Sequence, residues 1–266
     1  MRRVFYRKLR GVFFYLGSMT RQGLEHLGGF SLLGFQAIKN SLTPPYYPSL
    51  LIAELDMMGV RSISVANLVA LFTGMVMALQ TSYAMALFGA KLYVGPVVAL
   101  SMVRELGPVL TALLVGGRVG SGITAQLGSM KVTEQIDALR ALGANYIKKL
   151  IVPKVMAALI VFPLLTILAD LMGIFGGMII AALQLDLDAI YYLNSVVRML
   201  TFRDVFSGLG KTFVFGFLIV LIGCYFGLNT TGGTEGLGRA TTSAVVAISI
   251  TILIVDFFLT KLFLLL

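Results

Sequence analysis

The sequence predicts an all-α polytopic membrane protein, and three observations carry that prediction. Of its 266 residues, 58% are hydrophobic and only 12% are charged, and the mean hydropathy is +0.94, which is far more apolar than an ordinary soluble domain. Five apolar stretches are each long enough to cross a bilayer as a helix. Lysine and arginine are concentrated in alternate segments between these stretches, as in multi-pass proteins.

Residues 1–62 are predicted to form an amphipathic region on the membrane surface. Apolar residues at helical spacing alternate there with basic residues, which favours an interfacial helix on an anionic leaflet and no cleaved leader. The apolar positions are Phe5, Leu9, Val12, Phe13, Leu16 and Met19. After Pro44 and Pro45, a second segment over 47–58 carries Glu54 and Asp56. Its length and charges suit a helix at the interface; a short re-entrant or packed helix is the alternative.

Residues 63–266 are predicted to form a domain of five spans. The expected spans are Val65–Phe88, Val94–Ile123, Leu150–Leu183, Val205–Leu228 and Ala244–Leu266. The second is long enough to be tilted or broken at its glycines, and Pro153 and Pro163 predict irregularities in the third. Small-xxx-small pairs, which allow helix backbones to approach closely, occur at Gly116/Gly120, Gly173/Gly177 and Gly223/Gly227. We expect these pairs to pack helices within the chain.

The distribution of basic residues predicts the orientation. With a cytoplasmic N-terminus, fifteen lysines and arginines fall on the cytoplasmic side, and only Lys91, Arg198, Arg203 and Lys261 fall outside. An odd number of spans places the C-terminus on the periplasmic side. The segment between spans two and three is then cytoplasmic.

That cytoplasmic segment is predicted to contain a short amphipathic helix over Thr133–Leu142. Ile136, Leu139 and Leu142 recur at helical spacing, Thr133 is a candidate N-cap and Gly143 can end the helix. About ten residues span roughly 15 Å, which is half a bilayer. The helix must therefore lie on the membrane face or contact a partner, unless it is only a solvated connector.

Few residues are available for catalysis or metal binding. The single Cys224 and the single His26 exclude a disulfide framework within the chain and a metal site that needs several His or Cys ligands. Residues 208–212, GLGKT, end like a phosphate-binding loop, but Val205 stands where that motif needs glycine and the stretch opens an apolar span. We therefore predict no nucleotide site in this chain.

Ionisable residues inside the spans are the candidates for function, because charge in hydrocarbon must pair, reach the interface or face a wet cavity. They are Arg104, Glu105, Asp170, Lys211, Asp256 and Lys261. Arg104 is expected to pair with its neighbour Glu105, or with Asp170 or Asp256; Lys211 and Lys261 could also extend to the interface. Together these residues predict a shared polar cavity. Tyr83, Tyr93 and Leu100 are candidates for its apolar wall.

Two runs of sequence resemble a known family. The first is RELGPVLTALLVGGRVGSGITAQLGSMKVTEQIDALRALG, residues 104–143. The second is TEGLGRATT, residues 234–242, followed by the apolar segment with Asp256, Phe257 and Phe258. Both resemble signatures of the MlaE/YrbE permeases, the membrane subunits of Mce-type lipid ABC transporters. The resemblance extends from about Val65 to the end of the chain.

The resemblance implies a fold and a function. It implies N-terminal elbow helices, five spans, and a coupling helix at about 131–143. The implied function is movement of phospholipid between a bacterial inner membrane and a periplasmic Mce-domain protein, in support of outer-membrane lipid asymmetry. The chain would be a homodimer without catalytic activity or a cofactor of its own, because a separate ATPase would bind ATP and Mg²⁺. No nucleic acid partner is expected.

The resemblance also assigns roles to residues. Glu105 and Lys211 match positions that line the lipid cavity, and Arg104, Tyr83, Leu100 and Asp256 are the further substrate-binding candidates. The ATPase-coupling candidates on the short helix are Glu134, Gln135, Asp137 and Arg140. Residues 229–242 are expected to form a flexible cytoplasmic turn before span five, near the ATPase, with Glu235 and Arg239 as its charged members. An anion site in this Gly- and Thr-rich turn is the alternative.

Three other classes of protein fit the sequence less well than a permease. A secondary transporter would use Glu105, Asp170 and Asp256 as proton or cation sites, and would show inverted repeats that are not found here. An intramembrane enzyme lacks a convincing nucleophile and base. A structural anchor would not need buried charges.

Overall fold

The computed structural model of the chain describes residues 24–25 and 27–265. Within them all the regular structure is helical and there is no strand, which confirms the predicted all-α fold. The basic helix predicted around Phe5–Met19, together with His26 and Leu266, lies outside the described residues.

The helices follow one another along the chain with short connections. They are α1 (27–41), α2 (Pro48–Met58), α3 (Ile63–Ala86), α4 (Val94–Ser101), α5 (Gly107–Val132), α6 (Gln135–Ala141), α7 (Val152–Gln184), α8 (Ala189–Met199), α9 (Phe202–Leu228) and α10 (Gly233–Leu265). A π-helical turn, Met102–Leu106, joins α4 to α5, and a second, Ile147–Ile151, precedes α7.

Among the described residues, five helical stretches are long and apolar enough to cross a membrane. They are Pro48–Ala86, Lys91–Val132, Ile147–Gln184, Phe202–Leu228 and Gly233–Leu265. Each contains one of the five predicted spans except at the ends, where Leu87, Phe88 and Leu266 fall outside. The helical stretches are longer than the apolar segments, because backbone hydrogen bonding continues beyond the last residue that hydrocarbon favours.

The largest difference from the predicted elements lies before span five. The predicted flexible turn over 229–242 is wrong from Gly233 onward, since α10 already begins there. The turn itself is short and contains Gly232 and Gly233 at φ of +86° and +66°, a conformation that glycine adopts without steric cost. Glu235 and Arg239 therefore lie on a helix.

Glycines set how closely the helices pack. A Cβ on Gly74 of α3 would lie 1.8 Å from the carbonyl oxygen of Gly173 on α7. On α9, a Cβ on Gly223 would lie 3.0 Å from the carbonyl oxygen of Gly120. The Thr124 hydroxyl donates to the Gly120 carbonyl (2.8 Å) and lies 3.0 Å from that of Gly223. These small residues bring α3 against α7 and α5 against α9 within one chain.

Helix α2 packs against the bundle through a buried ion pair. Lys154 of α7 is 1% exposed, and its ammonium pairs with Glu54 of α2 and donates to Gln126 Oε1 of α5 at 2.6 Å. These contacts pack α2 against the bundle; its predicted position at the membrane interface stays a prediction. A single 3₁₀ turn, Val60–Ser62, links α2 to α3.

Helix α8 was not anticipated from the sequence. It lies between α7 and α9, begins where the Asp188 side chain accepts a hydrogen bond from the Ile190 amide at 3.2 Å, and buries Tyr192 and Val196. Its capping residue and apolar spacing are visible in the sequence, but its length is far below that of a span. This helix lies next to the start of α4 at the same end of the bundle as the polar site described next.

Candidate functional site

The π-helical turn Met102–Leu106 separates two neighbouring charged side chains. The amide of Gly107 donates to the carbonyl of Met102, five residues earlier, which gives the turn its extra residue. Arg104 and Glu105 leave the turn in different directions and find different partners. The predicted ion pair between these two neighbours is therefore wrong, because consecutive side chains on a helix point roughly 100° apart.

Glu105 pairs with Lys211 of α9 at the centre of a polar cluster. The Lys211 side chain is 1% exposed, and its ammonium lies 2.6 Å from Glu105 Oε2 and 3.2 Å from Asp256 Oδ1 of α10. The ammonium also donates to the Thr260 hydroxyl at 2.6 Å and to the Arg104 carbonyl at 3.1 Å. Its hydrogen-bonding capacity is therefore used within the bundle, not at the interface.

Arg104 pairs with Asp204 at the start of α9. Its Nε donates to Asp204 Oδ1 at 2.6 Å, and a terminal guanidinium nitrogen contacts the same oxygen. The other oxygen, Oδ2, accepts from the amide and the hydroxyl of Thr201, both at 2.8 Å, which completes a capping box. The sequence also suggested Asp170 and Asp256 as partners of Arg104, and both of these predictions are wrong.

These two pairs border one cavity of about 240 Å³. Its lining residues are Arg104, Glu105, Thr201, Arg203, Asp204, Ser207, Lys211, Thr260, Phe263 and Leu264. Arg104 and Glu105 remain 46% and 40% exposed, so part of each charged group faces the cavity. The space suits a charged head group better than a whole diacyl lipid, because sites for drug-sized ligands measure about 300–1,000 Å³.

Sequence reasoning missed several members of this site. Thr201, Arg203, Asp204 and Thr260 line the cavity, yet none was among the candidates. The Thr201-x-x-Asp204 spacing before span four is a capping-box signal that could have marked Asp204 as an ordered carboxylate. Thr260 carries no comparable signal. Its one link to the site in the sequence is its position four residues after Asp256, which places both on the same face of a helix.

Other predicted site residues lie elsewhere. Tyr83 on α3 and Tyr93 before α4 are 78% and 63% exposed, and Leu100 on α4 is half-buried; none of the three lines the cavity. Asp170 on α7 is buried, and its Oδ1 has no hydrogen-bond partner among the described residues. Lys261 is exposed on α10. The structure therefore brings together Arg104, Glu105, Lys211 and Asp256.

The short helix between spans two and three begins later than predicted. The Thr133 hydroxyl donates to the Ser129 carbonyl of α5 at 2.8 Å and does not cap α6, so the predicted N-cap is wrong. Glu134 instead occupies the N-cap position with φ of +59°. At the other end, Gly143 has φ of +70° and donates to the Arg140 carbonyl at 3.0 Å, as predicted for a closing glycine.

The surface of α6 is mostly uncovered. Ile136 is its single buried residue, Leu142 is 82% exposed, and Glu134 and Gln135 are exposed as well. Such a face is available to a partner.

The other two charged residues of α6 contact the chain itself. Asp137 accepts from Lys131 of α5 at 2.7 Å and from Arg140 at 3.4 Å, and Arg140 also lies 4.4 Å from the centre of the Tyr146 ring. The hydrogen bond and the charge of Lys131 hold the pKa of Asp137 below its ordinary value. These contacts fasten α6 to α5.

The start of α10 lies beside the α6 end of α5. A Cβ on Gly128 of α5 would lie 2.5 Å from Leu237 and 2.8 Å from the Thr230 hydroxyl. Glu235 and Arg239 are exposed on this part of α10 and lie 3.9 Å apart. The two groups of coupling candidates thus occupy the same end of the bundle.

The GLGKT sequence lies inside the continuous helix α9, where Lys211 contacts Glu105. These residues are therefore helical and do not form a loop. Among the described residues, no three His, Cys, Asp or Glu side chains are grouped to hold a metal ion.

Comparisons with known proteins match most of the chain. Residues 51–262 match the family model described as Permease MlaE. A probable ABC transporter permease protein of Rickettsia felis is 44% identical over 248 residues, covering 93% of this chain and 96% of that protein. A probable ABC transporter permease protein of Synechocystis sp. is 43% identical over 206 residues, or 77% and 78% of the two chains. Protein TRIGALACTOSYLDIACYLGLYCEROL 1, chloroplastic, of Arabidopsis thaliana is 38% identical over 210 residues, or 79% and 60%.

Proposed function

We propose that this chain moves phospholipid between a bacterial inner membrane and a periplasmic Mce-domain protein. The chain belongs to the MlaE permease family and is a multi-pass ABC transporter permease subunit, which supports this proposal. A separate ATPase, which holds ATP and Mg²⁺, drives the movement. The chain itself carries out no chemical reaction.

The single observation that carries the proposal is the charged cavity between apolar helices. Arg104 and Arg203 line it together with Glu105 and Lys211, and Phe263 and Leu264 form an apolar part of its wall. A guanidinium forms paired hydrogen bonds with a phosphate, and the exposed part of Glu105 can accept from an amine or a hydroxyl. A phospholipid head group supplies both partners, and its acyl chains suit the apolar wall.

A second copy of the chain would complete the site. One cavity of about 240 Å³ holds only a head group, and α10, which lines it, exposes a row of large apolar side chains. These include Phe257, Phe258, Leu262 and Leu265. A homodimer that joins two such cavities would offer space for acyl chains and cover part of this face.

Helix α5 provides the mechanical connection to the ATPase. It is 26 residues long, or about 39 Å, and runs from the π-helical turn with Glu105 to the segment that holds α6. An ATPase that binds Glu134, Gln135, Asp137 and Arg140, with Glu235 and Arg239 nearby, could displace α5 along its axis. That displacement would change the distance between Glu105 on the π-helical turn and Lys211 on α9, and with it the cavity.

The test is purification from native membranes in mild detergent with bound partners, followed by mass spectrometry of protein and lipid. We expect an ATPase, an Mce-domain protein and bound phospholipid, with less phospholipid in Glu105→Gln. Asp186→Asn is the matched control: Asp186 is exposed on the turn between α7 and α8 at φ of +53°, which asparagine tolerates. Equal lipid in all three proteins would contradict the role of Glu105.

A further inference from the structure

A second cavity lies away from the charged site. It measures about 710 Å³ and is bounded by α1, α9 and the first half of α10. Phe30 of α1 meets Tyr225 of α9 edge to face at 6.0 Å, and Gly34 comes close to Leu221, so α1 covers one side. We call this cavity the α1–α10 groove.

The groove is polar at one end and apolar along its length. Asn229, Thr231 and Arg239 line the end near the turn between α9 and α10, whereas Phe30, Ile222 and Ala247 line the deeper part. Gly236 and Thr251, near its two ends, are fifteen residues apart on α10, which corresponds to about 22 Å. One leaflet of hydrocarbon is about 15 Å thick, so the groove spans a leaflet and reaches into its head-group region.

Arg239 places a positive charge at the polar end of the groove. The Arg239 side chain is 75% exposed, and its nearest carboxylate, Glu235, is 3.9 Å away and 84% exposed. This is a weak contact that leaves the guanidinium able to bind an anion. The threonine and asparagine side chains add donors beside it. Apolar length with a cationic, donor-rich end matches an anionic amphiphile.

We propose that the α1–α10 groove binds one phospholipid with an anionic head group from the leaflet on the α6 side. The head group contacts Arg239 and the α9–α10 turn, and one acyl chain lies against Phe226 and Ala247. This site is separate from the Glu105–Lys211 cavity. It would hold a lipid whatever solute the transporter moves, so its test is independent of the proposed function.

The absence of tryptophan from the sequence allows a site-specific test. Phe226→Trp places a fluorescent reporter in the groove, and Phe213→Trp places one on the same helix, 48% exposed and outside the groove. Each full-length protein is reconstituted in vesicles with acyl-brominated phosphatidylglycerol or acyl-brominated phosphatidylcholine, which quench tryptophan on contact. Comparison of the two lipids reports head-group preference at each position.

We expect the groove reporter to favour the anionic lipid about five-fold, as for one arginine near an anionic head group. The Phe213 reporter should show no preference. Arg239→Gln should abolish the preference in the groove. Arg61→Gln, which changes another exposed arginine 3.3 Å from a carboxylate, should leave it intact.

Two results would overturn the proposal. Equal quenching of the groove reporter by both lipids, unchanged by Arg239→Gln, would show that the groove does not prefer an anionic head group. Quenching at Phe213 with none at Phe226 would show that protein fills the groove, either a second copy or residues 1–23. Where the Phe226 reporter is quenched, Ala247→Phe should reduce that quenching, because the larger side chain takes up space that the acyl chain would occupy; Val246→Phe, exposed on the same helix and outside the groove, is its control.

Discussion

Lys211 neutralises two carboxylates inside the bundle, which makes it the residue whose loss should cost most stability. Lys211→Met leaves Glu105 and Asp256 facing each other without their shared cation. Removing one partner of a buried ion pair destabilises by about 3–5 kcal/mol. Because Glu105 is 40% exposed, we expect a loss of about 3 kcal/mol. Thermal unfolding of the purified protein in detergent measures the effect.

The matched control for this residue is Lys261→Met, which removes an exposed lysine from α10 and should have little effect. Adding Glu105→Gln to Lys211→Met should restore part of the stability, since one unpaired charge is removed. Unchanged thermal stability of Lys211→Met would contradict the pairing described here.

At the level of residues, the sequence allowed the membrane-embedded charges to be predicted, but not their partners. Burial in an apolar segment can be read from neighbouring residues along the chain. The pairing of Arg104 with Asp204 depends on the π-helical turn and on the position of α9 beside it. Contacts between residues a hundred positions apart require the helix packing, which no local pattern specifies.

Among the elements, the contact between α3 and α7 is sensitive to added volume. Gly74→Ala would place a methyl group 1.8 Å from a backbone oxygen of Gly173, which cannot rotate away. The two helices must separate, and we expect a loss of about 1–3 kcal/mol. Thermal unfolding in detergent again provides the measurement.

Gly122→Ala is the control, and we expect it to change the stability in the opposite direction. Gly122 lies in the interior of α5, and nothing lies within 4 Å of the position its Cβ would occupy. Alanine there should stabilise the helix by about 0.5–1 kcal/mol. Destabilisation by both changes, to the same extent, would show that the α3–α7 contact is not specific.

Helix α6 allows shape and charge to be tested separately. Glu134 has φ of +59°, a conformation that asparagine tolerates. Glu134→Asn should therefore keep the start of α6 while removing a charge proposed to contact the ATPase. We expect normal hydrogen exchange across α6 but a reduced ATPase rate in the assembled transporter. A normal ATPase rate would show that Glu134 does not take part in the coupling contact.

At the level of elements, hydropathy located all five membrane-spanning helices but not their ends. Span five was predicted from Ala244, whereas α10 begins at Gly233. The polar residues between these positions remain helical outside the apolar segment. Thr133 was predicted as an N-cap, but its hydroxyl bonds back to α5. A threonine can do either, and the local sequence does not distinguish the two.

For the whole molecule, the distribution of basic residues predicts opposite locations for the two ends of the bundle. The one native cysteine, Cys224, is buried, so single exposed cysteines can report location. With a membrane-impermeant maleimide, Phe88→Cys and Leu265→Cys should react in intact cells, both positions being exposed. Ala144→Cys, beside α6, should react only after permeabilisation. The reverse pattern would contradict the predicted orientation.

The proposed function requires that ATP hydrolysis in a partner moves phospholipid through the site at Glu105 and Lys211. The most direct measurement is transfer of labelled phospholipid between proteoliposomes that contain the chain with its ATPase and a periplasmic acceptor protein. We predict transfer that requires ATP and is reduced in Glu105→Gln but not in Asp186→Asn. Transfer without the ATPase, driven by a proton gradient and unaffected by Glu105→Gln, would rule out this function and favour a secondary transporter.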